Sequence, residues 1–327
     1  MKVLITGGAG FIGSHLAEAL LDKGHSVRII DNLSTGHIDN IKHLEKNPQF
    51  EFIYDSILNY KMIERAFDEV RFVFHLAASV GVKYILENQV DSIITNIRGT
   101  EIVLDLASKR QCGVMFASTS EIYGRNDTGT LAEESNRIMG ATTVHRWSYA
   151  TSKALDEYMA LAFHRERAVP LRIVRFFNVC GPRQTGRYGM VVPRFVKSAL
   201  ANDPITVHGD GKQVRSFTHV KDAVAAVMMV FENKKAEGGI YNIGSENVIS
   251  IWELAVKIKE LLKSKSEIKF VSYHDVYPEG FEDMKRRVPD ITKIKRELGF
   301  EAQHTMDQII EDIARHIRGN KDEKAEN

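Results

Sequence analysis

Tyr149 and Lys153, in the stretch WSYATSKALDE, stand four residues apart, which on a helix puts both side chains on one face. A phenol titrates at about 10 and is a poor base at neutral pH. An ammonium group beside it favours the phenolate and makes proton abstraction feasible. Upstream, STSEIYG (118–124) offers two hydroxyls, Thr119 and Ser120, followed by the carboxylate of Glu121. That glutamate could be a base, a group that orients a substrate, or a surface carboxylate. Far downstream, in MKRRVPD (284–290), Arg287 carries a planar guanidinium of the kind that grips a carboxylate in bidentate fashion. The plainer reading of Arg286 and Arg287 is a pair of solvated loop charges.

A different chemistry is written at the start of the chain. In TGGAGFIG, Gly7, Gly10 and Gly13 follow a short apolar run and open a helical pattern. Glycine is needed there if the turn is tight, the backbone approaches a pyrophosphate and the helix packs close to a strand. Asp31 ends the next apolar run, where an acid accepts hydrogen bonds from an adenosine ribose and repels a 2′-phosphate, so NAD is favoured over NADP. Asp55, after the third run, is read as an adenine contact or a solvated loop acid. Without a dinucleotide fold around them, these residues would be a Gly-rich turn, turn acids and a structural Tyr/Lys pair.

The elements that must position these groups alternate. Apolar, β-branched runs at 2–6, 26–31, 50–54, 72–77, 113–118 and 171–177 are continuous rather than alternating, as strands buried on both faces are. Helical spacing over 12–23, 60–69, 92–109 and 148–168 separates them. That order predicts an α/β fold with a doubly wound parallel sheet, the Rossmann arrangement, over residues 1–177. After Phe177 comes the polar loop NVCGPRQTGRYG, then helical patterns at 190–201, 220–232 and 250–263. These predict a smaller C-terminal α/β substrate-binding lobe over 178–318, with a strand near 239–243 returning to the sheet. The charged end, 319–327, reads as a flexible tail.

Bulk properties exclude several classes. The 327 residues carry a formal net charge of +1, so no global field argues for nucleic acid or an anionic surface. Two cysteines suit a reducing compartment, and the start lacks a cleavage pattern. No apolar run reaches the roughly 18 residues of a membrane span, so the chain reads as soluble and cytoplasmic. The twelve histidines show no metal-binding spacing, and no G-x-S-x-G nucleophile motif is present.

The motifs TGGAGFIGS, DNLSTG, HLAA (75–78), STSEIYG, YATSK, FNVCGPR and GDGKQVRSFTHVKDA together resemble the extended short-chain dehydrogenase/reductases, the NAD-dependent nucleotide-sugar epimerase/dehydratase/decarboxylase family, over positions 1–318. The resemblance implies that Tyr149 is the base, Lys153 anchors the nicotinamide ribose, and Thr119 hydrogen-bonds the sugar 4-hydroxyl. It places Phe11, Ile12, Asn32, Leu76, Ala77 and Ala78 against NAD, and Asn178 and Arg215 on a nucleotide diphosphate. It also implies a homodimer through helices 92–109 and 148–168, whose Ile93, Ile94, Ile97, Leu155, Tyr158, Met159 and Ala162 lie beyond one apolar stripe. Packing on the sheet would account for that pattern as well.

Chemistry of this kind begins with oxidation at sugar C4. The resulting ketone then decides between epimerisation, loss of water and loss of CO2. Thr119-Ser120-Glu121 and the Arg-x-Pro-Asp segment at Arg287 resemble UDP-glucuronate decarboxylases, which implies conversion of UDP-glucuronate to UDP-xylose. YATSK is instead typical of the 4-epimerases, and TGRYGMVVPRF and Cys180 depart from the decarboxylase pattern. The alternatives are therefore a UDP-sugar 4-epimerase acting on UDP-glucose or UDP-glucuronate, then a hexose 4,6-dehydratase, and outside enzymes an NAD-sensing protein.

Overall fold

The computed structural model describes residues 1–126, 129–186, 190–276 and 282–325. Six strands come first: β1 (Lys2–Thr6), β2 (Ser26–Asp31), β3 (Phe50–Tyr54), β4 (Phe72–His75), β5 (Gly113–Thr119) and β6 (Leu171–Phe176). The short strands β7 (Val179–Cys180), β8 (Ile205–His208), β9 (Val214–Ser216) and β10 (Thr218–His219) follow. After them come β11 (Ile240–Ile243), β12 (Val248–Ser250), β13 (Ile268–Val271) and β14 (Arg286–Arg287). The helices are α1 (Phe11–Asp22), α2 (Tyr60–Ala66), α3 (Val82–Glu87), α4 (Gln89–Arg110), α5 (Trp147–Arg167) and α6 (Val191–Ala201). They continue with α7 (Val220–Glu232), α8 (Ile251–Leu261), α9 (Tyr273–Val276), α10 (Thr292–Leu298) and α11 (Met306–Ala325).

Seven strands form one parallel sheet in the order β11-β6-β5-β4-β1-β2-β3. The continuous apolar runs have the physical cause expected of them. Val3 and Ile5 of β1, with Phe72 and Phe74 of β4, pack into a core that includes Leu16, Leu20, Val227 and Phe231 from α1 and α7. Leu4 and Val73, pointing the other way, join Ile63, Val103 and Ala160 from α2, α4 and α5. The central strands are thus buried on both faces, with helices covering both, whereas the edge strand β3 leaves Glu51 and Tyr54 exposed.

The second half does not stay in one lobe. Helix α7 packs on α1, and β11 pairs with β6, so both belong to the main sheet and its cover. A third core gathers α6, α8 and α11 with β8, around Phe195, Leu254, Ile258 and Ile310. Helix α11 runs to Ala325 and takes in most of the charged end that the sequence places in a tail; residues 326–327 lie outside the described ones. Part of TGRYGMVVPRF (187–189) and of the loop before Arg287 (277–281) also lies outside them.

One small element matters for the site. Strand β9 sits between β12 and β14, and the parallel β9–β14 register sets Arg215 opposite Arg287. Like charges facing one another across a ladder destabilise it unless anions lie between them.

Candidate active site

The carboxyl ends of the parallel strands open into a cleft of about 1240 Å³. Cofactor and substrate residues named from the sequence, from Gly7 to Arg287, border this cleft, apart from Lys153. Lys153 lies behind the wall, 2% exposed, with its Nζ 3.9 Å above the Phe116 ring and 3.5 Å from Asp156.

At one end the loop between β1 and α1 is shaped by glycine. Gly7 has φ of +73°, and a Cβ there would lie 2.9 Å from the Ala77 backbone. A Cβ at Gly13 would meet Gly8 Cα at 2.8 Å and the Gly7 carbonyl oxygen closer still. These are backbone walls that cannot move aside, so only glycine holds this turn against the start of α1. Asp31 closes β2 beside it and accepts from the Ala9 N–H at 3.0 Å and the Leu33 N–H at 2.8 Å. Burial pushes its carboxyl up, and these backbone hydrogen bonds work against that. Ser118 Oγ is buried at the cleft wall without a hydrogen-bond partner among the described residues. A glycine-lined helix start, a carboxylate at the second strand end and an orphaned hydroxyl fit a dinucleotide.

At the other end the side chains are polar or charged. Thr119 ends β5, and its Oγ1 accepts from the Glu121 N–H at 3.2 Å, capping the single 3₁₀ turn Ser120–Tyr123. That turn directs Glu121 to the cleft. Tyr149, in the first turn of α5, lies beside Thr119, whose hydroxyl favours the ionised phenol. Burial first, and the Glu121 charge second, push the Tyr149 phenol well above its ordinary range. Without ligands it is a phenol, not a phenolate. Burial pushes the Lys153 ammonium down, with Asp156 acting against it, and pushes Asp156 up to about 6.

Arg287 comes to Glu121 across 166 positions of sequence, pairing with it through Nη1 and with the Asn178 Oδ1 through Nη2. Asn178 is held at φ +28°, a conformation few side chains adopt, and its Nδ2 donates to the Ser216 carbonyl at 2.8 Å. Two residues escaped the sequence reading. Arg146, 9% exposed, lies 3.4 Å from Glu121 and 3.2 Å from Asp283. Asp283 in turn is 3.1 Å from Arg215 and accepts from Tyr273 Oη at 3.1 Å. The available signal for Arg146 was its place three residues before Tyr149, on the same helix face. Nothing local marked Asp283. Burial raises the Glu121 carboxyl, but Arg287 and then Arg146 outweigh it and hold Glu121 below the usual range. Asp283 is held down in the same way, by Arg146 and Arg215 against its burial. Among the described residues no cluster of His, Cys, Asp or Glu is arranged to hold a metal ion.

This arrangement has relatives. The GDP-mannose 4,6 dehydratase family matches residues 4–313. The chain is similar to the UDP-N-acetyl-alpha-D-glucosaminuronate decarboxylase of Bacillus cytotoxicus, 43% identical over 318 residues, 97% of this chain and 98% of that one. It is similar to UDP-glucuronic acid decarboxylase 1 of Arabidopsis thaliana, 34% identical over 327 residues, 99% of this chain and 72% of that one. Among solved structures, the UDP-glucuronic acid 4-epimerase of Bacillus cereus, in complex with UDP-glucuronic acid and NAD, has a TM-score of 0.89 at 28% identity, covering 98% of this chain and 100% of that one. The chain belongs to the GDP-mannose 4,6 dehydratase family, the NAD-dependent extended short-chain dehydrogenase/reductases that epimerise, dehydrate or decarboxylate nucleotide sugars.

Proposed function

We propose that the protein decarboxylates a UDP-linked hexuronate through a 4-keto sugar, giving a UDP-pentose. The observation that carries this reading is the meeting of Glu121 and Arg287 beside Thr119 and Tyr149. A guanidinium in that place is suited to a sugar carboxylate. The substrate is UDP-glucuronate or its 2-acetamido counterpart, and the 43% identity to the Bacillus cytotoxicus enzyme favours the second.

Tyr149 accepts the proton of the sugar 4-hydroxyl, which Thr119 holds by a hydrogen bond. NAD, when bound, supplies a reversible oxidant for sugar C4 and a positive charge that favours the Tyr149 phenolate. Gly7, Gly10 and Gly13 would hold its pyrophosphate and Asp31 its adenosine ribose; Lys153, buried behind the cleft wall against Asp156, would have to turn from that partner to reach the nicotinamide ribose. With C4 a ketone, the carboxylate on C5 is that of a β-keto acid. The C5–carboxyl bond breaks, its electron pair moves into the C4 carbonyl as an enolate, and CO2 leaves. Arg287 steadies the carboxylate before that step and the enolate after it. A proton from solvent water is then added to C5 in place of the carboxyl, returning the enolate to the C4 ketone, and reduction at C4 completes the cycle. Asn178 and Arg215 hold the diphosphate.

A UDP-sugar 4-epimerase is the second reading, favoured by the Bacillus cereus epimerase and by the epimerase-like YATSK segment. Proton NMR of the protein with NAD and each UDP-hexuronate separates the two. The proposal expects a UDP-pentose with stoichiometric CO2; a 4-epimer that keeps its carboxylate would overturn it. We further infer a homodimer through α4 and α5, supported by Val90, Ile94, Leu155 and Tyr158, large apolar side chains left exposed on these two helices. A cytoplasmic setting is supported by two buried, unbridged cysteines, Cys112 and Cys180.

A further inference from the structure

Glu121 has two guanidiniums, and they differ in what else they hold. Arg287 also donates to the Asn178 side-chain Oδ1, while its buried Nε has no hydrogen-bond partner among the described residues. Arg287 thus borders the cleft with a donor still to satisfy. Arg146 leads into α5 and shares the Asp283 Oδ1 with Arg215, while the Tyr273 hydroxyl donates to Oδ2. The charged groups form a row: Arg215, Asp283, Arg146, Glu121, Arg287. Three guanidiniums face two carboxylates, so the row carries one positive charge in excess.

We propose that Arg146 is a positioning residue for the carboxylate-bearing sugar, holding the Glu121 carboxylate in place when the substrate carboxylate draws Arg287 from it. This rests on the hexuronate reading above. Without Arg146, Glu121 and the substrate would be two anions competing for one guanidinium. A buried carboxylate that loses its cation faces the full cost of desolvation, so the competition would be settled against the substrate. A UDP-hexose without a carboxylate leaves the Glu121–Arg287 pair intact and has no need of Arg146.

The test is calorimetric binding of a UDP-hexuronate and of UDP-glucose to NAD-loaded protein, in a Tyr149→Phe background where turnover is blocked. Adding Arg146→Gln is expected to weaken the hexuronate tenfold or more and UDP-glucose by less than twofold. Arg146→Lys keeps the charge and is expected to restore most of the difference. It reads the same contrast at smaller amplitude if the glutamine variant does not fold. Equal weakening of both ligands, or of neither, would overturn the proposal, since a merely structural arginine would not separate them. Binding is read without turnover. A wild-type protein that binds hexuronates through this contrast yet releases no CO2 would thus contradict the decarboxylase reading alone.

Discussion

The two ends of the cleft are built from different materials. The cofactor end is mostly backbone: a glycine turn pressed against the Ala77 main chain, a helix start, and one carboxylate that ties its own loop together. The sugar end is mostly side chains, with Glu121, Arg146, Asn178, Arg215, Asp283 and Arg287 arriving from well-separated parts of the chain. The first selects its ligand by shape, because a pyrophosphate must come within reach of main-chain N–H groups. The second selects by charge balance, so its resting pairs must reorganise when an anion arrives. Damage to the two ends should therefore separate into lost cofactor binding and lost chemistry.

The largest expected effect joins both ends. Tyr149→Phe removes the only proton acceptor proposed for the 4-hydroxyl and is expected to lower kcat by about 10³-fold, read as the initial rate of CO2 release. NAD affinity should hold. Next comes Glu121→Gln, which leaves Arg287 without its resting anion and is expected to slow CO2 release by about 10²-fold, again with NAD binding intact. Parallel loss of NAD affinity in either variant would break the distinction between the ends.

Gly13→Ala probes the other side of the comparison. Its methyl would press on the Gly7 and Gly8 backbone, so a loss of about 1–3 kcal/mol in stability is expected by denaturant titration, with weakened NAD binding. A matched control is Gly319→Ala in α11, where a Cβ meets nothing within 4 Å. There the methyl should raise stability by about 0.5–1 kcal/mol and leave NAD binding alone.

Acid should weaken the floor of the cofactor end. His75 ends β4, fully buried between Thr6 Oγ1 at 2.7 Å and Thr100 Oγ1 at 3.1 Å, and burial holds its pKa at about 3. Its folded pKa lies below its unfolded value of about 6.5. The neutral ring's contribution is complete above that pH and is lost progressively as the pH falls from about 6.5 towards about 3, by up to roughly 1.4 kcal/mol per unit. Denaturation midpoints at pH 7, 6 and 5 measure this, and His75→Gln should flatten the slope by about one proton.

The same contrast explains what the sequence made legible. Elements with strong periodicity stand where their spacing put them: α7 occupies Val220–Glu232, and α5 lies within one residue of its expected ends. The glycine cradle was readable because close backbone approach leaves no other residue type possible. Arg146 and Asp283 were not readable, because a charged residue beside a motif looks like surface until a fold supplies its partner. Nor could spacing reveal the β12-β9-β14 ladder that sets Arg215 beside Arg287, since strands of two or three residues have no period. Charges held by long-range pairing leave little local trace.

The most direct measurement follows a UDP-hexuronate labelled with ¹³C at its carboxyl in wild-type protein and in Arg287→Ala, with NAD affinity measured alongside. The account predicts full transfer of label to CO2 by the wild type, release slowed about 10²-fold in the variant, and NAD affinity equal within about twofold. Label that stays on the sugar in the wild type, or NAD affinity that falls in step with CO2 release, would contradict it.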